Sequence, residues 1–218
     1  LWGFSTPHFC FLECHDTRSG SVASDILLNS LCEVLVSDVF SGYGKAIRVV
    51  NLDRQKNKKT LIENANCNAH ARRYFFKSWP QYKEAQFYLD RYHEIYQLES
   101  ECKGKPPNEV LRIRSQMREK FEAMRAQAME EISQYPNQLK FAKALGYFLE
   151  NYQGLTLFLD QPDVPIDNNP QERLLRSHVV GRKTWYGTHS ERGAETAAIL
   201  FSIVETCKLN RVNPREYL

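Results

Sequence analysis

Residues 33–44 read Glu33-Val34-Leu35-Val36-Ser37-Asp38-Val39-Phe40-Ser41-Gly42-Tyr43-Gly44. Val34, Leu35 and Val36 make a compact apolar strand that ends in an acid, and a glycine-containing loop is expected at Ser41–Gly44. A carboxylate at the carboxyl end of such a strand is well placed to face a ligand. The bland alternative is an acid that only ends the strand and caps the turn. With this strand fixed, the first third of the chain reads as α/β.

Working upstream, Phe9 to Cys14 is rich in strand formers, and Leu1 to Ser5 pairs with it across Thr6-Pro7. Gly20 to Leu31 carries Val22, Ile26 and Leu27, a short amphipathic helix capped from Ser19-Gly20-Ser21. Downstream, Asp53 to Lys59 is charged and reads as a surface loop. From Gln81 to Gln153 the periodicity is helical. Val110, Ile113, Met117, Phe121, Met124, Ala128 and Ile132 recur at three- and four-residue steps as one stripe. Gly104-Lys105-Pro106-Pro107 and Tyr135-Pro136-Asn137 punctuate this region. The helix they leave, Gln138 to Gln153, is given no chemistry for its aromatic side chains. The last third has a loop, Asp160 to Asn169, a helix from Pro170, and turn signals at Gly181, Gly187 and Gly193. A final helix carries Ala194, Ala197, Phe201 and Val204 as its stripe.

Composition is that of an ordinary folded protein, 42% hydrophobic and 25% charged over 218 residues. The net charge of +3 neither demands nor excludes a nucleic-acid partner. The six cysteines are too scattered for a secreted disulfide framework. No apolar run approaches a membrane span, and Ala197 to Val204 is too short. A reducing cytosol is the expected compartment.

Two further motifs carry candidate chemistry. In Asp167-Asn168-Asn169-Pro170-Gln171-Glu172-Arg173, Asn169 reads as an N-cap with Pro170 at the first helical position. Glu172 then completes something close to a capping box, or else points from the first turn toward a metal shared with Asp38. In Cys67-Asn68-Ala69-His70-Ala71-Arg72-Arg73, Cys67 and His70 suggest half a zinc site. Cys10 and Cys14, spaced along a strand, are poorly placed to complete it. A buried cysteine and a hydrogen-bonded histidine are expected instead.

These motifs and their order resemble the insertion sequence 66 family of bacterial transposases. The resemblance rests on Val36-Ser37-Asp38 followed by Ser41-Gly42-Tyr43, and on Cys67-x-x-His70-Ala71-Arg72-Arg73. Above all it rests on the tail, where Ile166-Asp167-Asn168-Asn169 leads through Glu172-Arg173 to Gly181-Arg182-Lys183-Thr184-Trp185. Ser190-Glu191-Arg192-Gly193-Ala194 and Glu205-Thr206-Cys207-Lys208 continue it to Pro214 and Tyr217-Leu218. It covers most of the chain and is weakest from Arg48 to Asn66 and in the helical region.

The resemblance implies a ribonuclease-H-like core with an Asp-Asp-Glu triad, Asp38 matching the second Asp and Glu172 the Glu. Residues 1–80 and 151–218 would be the two parts of that core, with 81–150 an all-helical insertion. The fold expected is a mixed sheet, first strand missing, with C-terminal helices. Asp38 and Glu172 would share Mg²⁺ or Mn²⁺ for in-line phosphodiester hydrolysis and strand transfer. Arg173, Arg176, Arg182 and Lys183 would hold DNA phosphates, while Cys67, His70, Asp167 and Asn168 would order the site. Transposon ends and target DNA are the implied partners, with a homo-oligomer for paired ends and a bacterial, nucleoid-associated setting. The chain departs from the family at Asn68, where a Trp is usual, which bears on local packing.

Counting strands back from Asp38 puts the family's first Asp ahead of Leu1. Asp16 lies too close to Asp38 for the strands and helix that should intervene. The 218 residues alone are therefore expected to bind the metal weakly and not to cleave. Two other classes fit the same residues. One is a non-catalytic DNA-binding transposase remnant, the other a different ribonuclease-H-like nuclease.

Overall fold

The structure is a computed structural model and describes residues 1–184 and 187–218. Trp185 of the tail motif lies outside the described residues, as does the Arg182 side chain. In chain order the elements begin β1 (Trp2–Thr6), β2 (Phe9–Glu13), α1 (Gly20–Leu28), β3 (Val34–Ser37), α2 (Ser41–Lys56) and β4 (Glu63–Asn66). They continue with α3 (Asn68–Ser78), α4 (Ala85–Glu101), α5 (Pro107–Glu131), α6 (Lys140–Glu150) and α7 (Tyr152–Thr156). Last come α8 (Asn169–Thr184), α9 (Glu191–Leu209) and α10 (Pro214–Tyr217). No helix among the described residues is long and apolar enough to cross a membrane. The chain forms two compact units, one made of Leu1–Asn29 with Asn169–Leu218, the other of Ser30–Asn168.

In the first unit β1 and β2 pair antiparallel, Trp2 opposite Glu13 and Thr6 opposite Phe9, the hairpin read from the sequence. The other edge of β2 is met by α9. Ser202 Oγ accepts from the Leu12 N–H at 2.8 Å, and Thr206 Oγ1 accepts from the Cys10 N–H at 3.0 Å. The same hydroxyls donate back to the Leu12 and Cys10 carbonyls. Four residues of helix rise about 6 Å, and two residues of strand rise roughly 6.6 Å. The two periods therefore match over this stretch. Ala198 joins Cys10 and Leu12 in a small core. The apolar stripe expected for this helix is thus displaced: Ala194, Ala197, Phe201 and Val204 are only half-buried, because the packed row is built on hydroxyls. Gly181, expected in a turn, lies within α8. A lone glycine costs a helix interior only about 1 kcal/mol, too little to break sixteen residues of it.

In the second unit β3 and β4 run parallel, from Val34 opposite Glu63 to Ser37 opposite Asn66. Among the described residues the strands thus form two two-stranded sheets, not the single mixed sheet expected. Each hydrogen-bonded ladder stays within one unit. Helix α2 occupies both Ser41–Gly44 and most of Asp53–Lys59, which the sequence reading assigned to loops. Its buried row is Ala46, Ile47, Val50 and Arg54, so an arginine ends the stripe. The Arg54 guanidinium donates to the carbonyls of Ser30, Cys32 and Thr60, which ties the end of α2 to the start of β3.

The helical region reads as expected. The α5 stripe from Val110 to Ala128 is buried against Tyr88, Tyr92, Ile95, Phe141, Leu145 and Phe148. Phe75 of α3 stacks on Tyr88 at 4.3 Å, so α3 belongs to the same core. Helix α6 closes onto the sheet through Asn151, which caps it. The Asn151 side chain donates to the Tyr147 carbonyl at 2.8 Å and accepts from Asn66 Nδ2 at 3.4 Å. At Gly154 of α7 any Cβ would collide with the Asn66 side chain and the Asn64 carbonyl, so glycine permits this close approach.

Candidate active site

Asp38 and Cys67 each follow the last residue of neighbouring parallel strands. The ladder extends one step beyond them, with the Cys67 N–H donating to the Ser37 carbonyl at 2.9 Å. Both residues therefore stand at the carboxyl end of β3 and β4, where parallel sheets present ligand-facing groups. Asp38 is exposed, and its Oδ1 accepts from the Phe40 N–H at 3.3 Å. The turn-capping reading of this acid is met by that bond, and the carboxylate remains exposed. Between them Val39 has φ of 63°, in the left-handed region. For a β-branched residue such a conformation costs on the order of 1–3 kcal/mol. Strain of this kind persists only where the surrounding structure fixes it.

Cys67 is fully buried and stands at the N-cap of α3 without a side-chain cap bond. Its sulfur accepts from the Asn168 N–H at 3.4 Å. Burial pushes the thiol above its ordinary range, against the pull of the Asn168 and His70 N–H groups, and the Asp167 charge adds to the rise. Asp167 is buried, and its Oδ2 accepts from the Tyr96 hydroxyl at 2.9 Å. Burial raises the Tyr96 hydroxyl far above its ordinary range, with Asp167 adding to it. The structure thus brings Cys67, Asp167 and Asn168 together, with half-buried His70 in the first turn of the same helix. Among the described residues no three His, Cys, Asp or Glu side chains gather into a metal-binding group.

Glu172, Arg173, Arg176 and Lys183 are all exposed on α8, Glu172 in its first turn. Arg173, Arg176 and Lys183 share one helix face and form no ion pair among the described residues. Leu174 and Leu175 turn the other way, against the core of Cys10 and Leu12. Asp38 belongs to the Ser30–Asn168 unit and Glu172 to the other.

Three residues near the site are not named from the sequence as site residues: Asn68 is noted there only for its packing, and Tyr96 and Tyr147 not at all. Asn68 is fully buried; its Nδ2 donates to the carbonyls of Leu155 and Ile166, and its Oδ1 accepts from the Tyr92 hydroxyl. Tyr96 reaches Asp167 across 71 positions. Tyr147 stacks on Tyr74 with ring centroids 4.5 Å apart, and its hydroxyl is buried with no hydrogen-bond partner among the described residues. Burial raises that hydroxyl, and Tyr74, Cys67 and Asp38 add to the effect, so it lies within electrostatic reach of the strand ends. An unsatisfied buried hydroxyl costs about 1–3 kcal/mol. Tyr147→Phe is therefore expected to leave the melting temperature unchanged or raise it by about 2–4 °C. A clear fall in a thermal melt would show that the hydroxyl is already satisfied in the free protein.

The family model described as Transposase IS66 family matches residues 1–196. The uncharacterized protein y4hP of Sinorhizobium fredii (strain NBRC 101917 / NGR234) is 30% identical over 200 residues, covering 85% of this chain and 35% of that protein. The uncharacterized protein y4jD of the same strain is 29% identical over 195 residues, covering 88% of this chain and 37% of that protein. The chain thus spans about a third of the length of the curated relatives it matches. No solved structure matches it. With the match running across both units and through every motif around Asp38, Cys67 and Glu172, the chain belongs to the IS66 family of transposases.

Proposed function

We propose that this chain is the part of a DNA transposase's Asp-Asp-Glu catalytic core that carries the second Asp and the Glu, serving phosphodiester cutting and strand joining on a ribonuclease-H-like scaffold. The observation that carries the reading is Asp38, an exposed acid on a strained turn at the carboxyl end of β3, in a chain of this family. In this reading Asp38 and Glu172 act in one site, and residues 81–150 are a helical insertion between the two parts of the core.

The donors fit a hard divalent cation in kind, since both are exposed carboxylates and one Asp38 oxygen accepts no bond among the described residues. Asp38 and Glu172 would hold Mg²⁺ or Mn²⁺, which when bound polarises a phosphoryl oxygen and lowers the pKa of water. The remaining work belongs to the chain. The Phe40 N–H orients Asp38, while Arg173, Arg176, Arg182 and Lys183 hold phosphates in register. The Cys67–Asn168 and Tyr96–Asp167 bonds fix the segment that leads into α8, as does the Asn68 N–H on Ile166.

The test is cleavage and joining of DNA carrying the element's ends, run on a protein of the relatives' length that contains this chain. Mg²⁺-dependent product that disappears in both Asp38→Asn and Glu172→Gln is the expected result. Undiminished cleavage by either variant would remove that acid from the site.

A further inference from the structure

Helices α3 and α6 pack side by side and antiparallel. Tyr74 stacks on Tyr147, while Tyr82, just beyond α3, stacks on Phe141 at the start of α6 at 5.9 Å. Their inner faces, among them Ala71, Phe75, Phe141 and Phe148, lie in the core. Their outer faces carry two rows in helical register. On α3 these are Arg73, Tyr74 and Lys77, and on α6 Lys140, Lys143 and Tyr147. All four cations are exposed, and none makes an ion pair or hydrogen bond among the described residues. The nearest acids in sequence stand beside the helix ends, with Glu63 on β4 ahead of α3. Glu150 comes one turn after Tyr147, and Glu84 accepts from the Tyr135 hydroxyl at 3.0 Å. Tyr74 keeps 42% of its surface open beside the stack.

Both rows lead to the strand ends. Helix α3 starts directly after Cys67, and Asn151 pins the end of α6 to Asn66, the strand partner of Ser37. Exposed cations flanking an aromatic pair match a polyanionic backbone in charge better than any apolar or cationic partner. We propose that the paired outer faces of α3 and α6 form a DNA-backbone track that ends at Asp38. Arg73, Lys77, Lys140 and Lys143 take the phosphates along it. This rests on the transposase reading and extends it, giving the helical insertion a share in substrate binding that is separate from the cations of α8.

The experiment is fluorescence anisotropy with a short DNA duplex of arbitrary sequence, titrated across a range of salt concentrations. Phosphate contacts release counterions, so each lysine removed should lower the slope of log affinity against log salt by about 1. Lys77→Ala with Lys143→Ala is expected to weaken binding about tenfold at moderate salt and to lower the slope by about 2. Lys103→Ala, an exposed cation away from these helices, should change neither. An unchanged slope in the double variant, with a reduced slope in Arg173→Ala with Arg176→Ala, would overturn the track and leave the transposase reading standing. A wild-type chain that binds no duplex even at low salt would overturn both. Unchanged circular dichroism and melting temperature confirm that the variants fold, as expected for exposed side chains without partners.

Discussion

Arg114→Met is expected to destabilise the Ser30–Asn168 unit by about 3–5 kcal/mol, because it leaves a mostly buried carboxylate without its counter-charge. Arg114 is 3% exposed, and all its bonds point inward. Nε and Nη2 grip the two Glu99 oxygens at 3.0 and 2.6 Å, and Nη1 donates to the carbonyls of Phe158, Gln161 and Val164. The guanidinium also lies over the Phe158 ring at 5.0 Å. One planar group thus joins α4, α5 and the segment running toward Asp167. Lysine cannot replace it, since a single ammonium does not span a carboxylate and three carbonyls. Arg114→Lys should recover only part of the loss. Pairing Arg114→Met with Glu99→Gln should cost less than the two changes summed, because the orphaned charge is then gone. Urea unfolding with an unchanged m-value reads this directly. A cost below about 1 kcal/mol would show the pair to be a solvent-screened surface bridge. Amide exchange should quicken first from Phe158 to Asn168, the segment that Arg114 holds.

What the sequence disclosed and what it hid divide along physical lines. The α5 stripe was legible because its buried positions are apolar and evenly spaced. The β1–β2 hairpin and β3 were legible for the same reason, apolar residues bounded by turn chemistry. Helix α2 was misread because Gly42 and Gly44 stand in its first turn and the buried position of its last turn is Arg54, a charge satisfied by three backbone carbonyls. Periodicity counts apolar residues, so a row completed by a buried cation disappears from it. The same blindness displaced the α9 stripe, whose contacts with β2 are made by Ser202 and Thr206. At the site, Asp38, Cys67, Asp167 and Asn168 were named from motif order, and three of the four meet around one buried sulfur or in the residues flanking its bond. Tyr96 and Tyr147 could not be named, because each reaches the site from a helix whose aromatic side chains read as core.

Asn68→Ala should cost about 3 kcal/mol, a large effect for deleting one uncharged side chain. The reason is that Asn68, 0% exposed, spends its whole amide on buried partners. Nδ2 meets the Leu155 carbonyl at 2.9 Å and the Ile166 carbonyl at 3.1 Å, while Oδ1 takes the Tyr92 hydroxyl at 3.3 Å. Alanine leaves two carbonyls with fewer donors and a fully buried phenol without its acceptor, and it opens a void. The Ile166 carbonyl keeps the Asn68 backbone N–H at 3.1 Å, so the loop should loosen without detaching. Tyr92→Phe in the alanine background removes the orphaned hydroxyl, so the double variant should be more stable than the sum of the single changes predicts. The resemblance to the family sets a tryptophan at this position, and Asn68→Trp gives the sharper comparison. An indole offers one N–H where Asn68 donates two side-chain bonds, and its added volume must be absorbed by a closed core at a cost of about 1–3 kcal/mol. Asn68→Trp is therefore expected to fall below wild type in denaturant midpoint, with Tyr92 and the Leu155 carbonyl losing protection. A tryptophan variant as stable as wild type would mean that the pocket keeps the shape of the aromatic residue, and that the amide network fills a space it did not build.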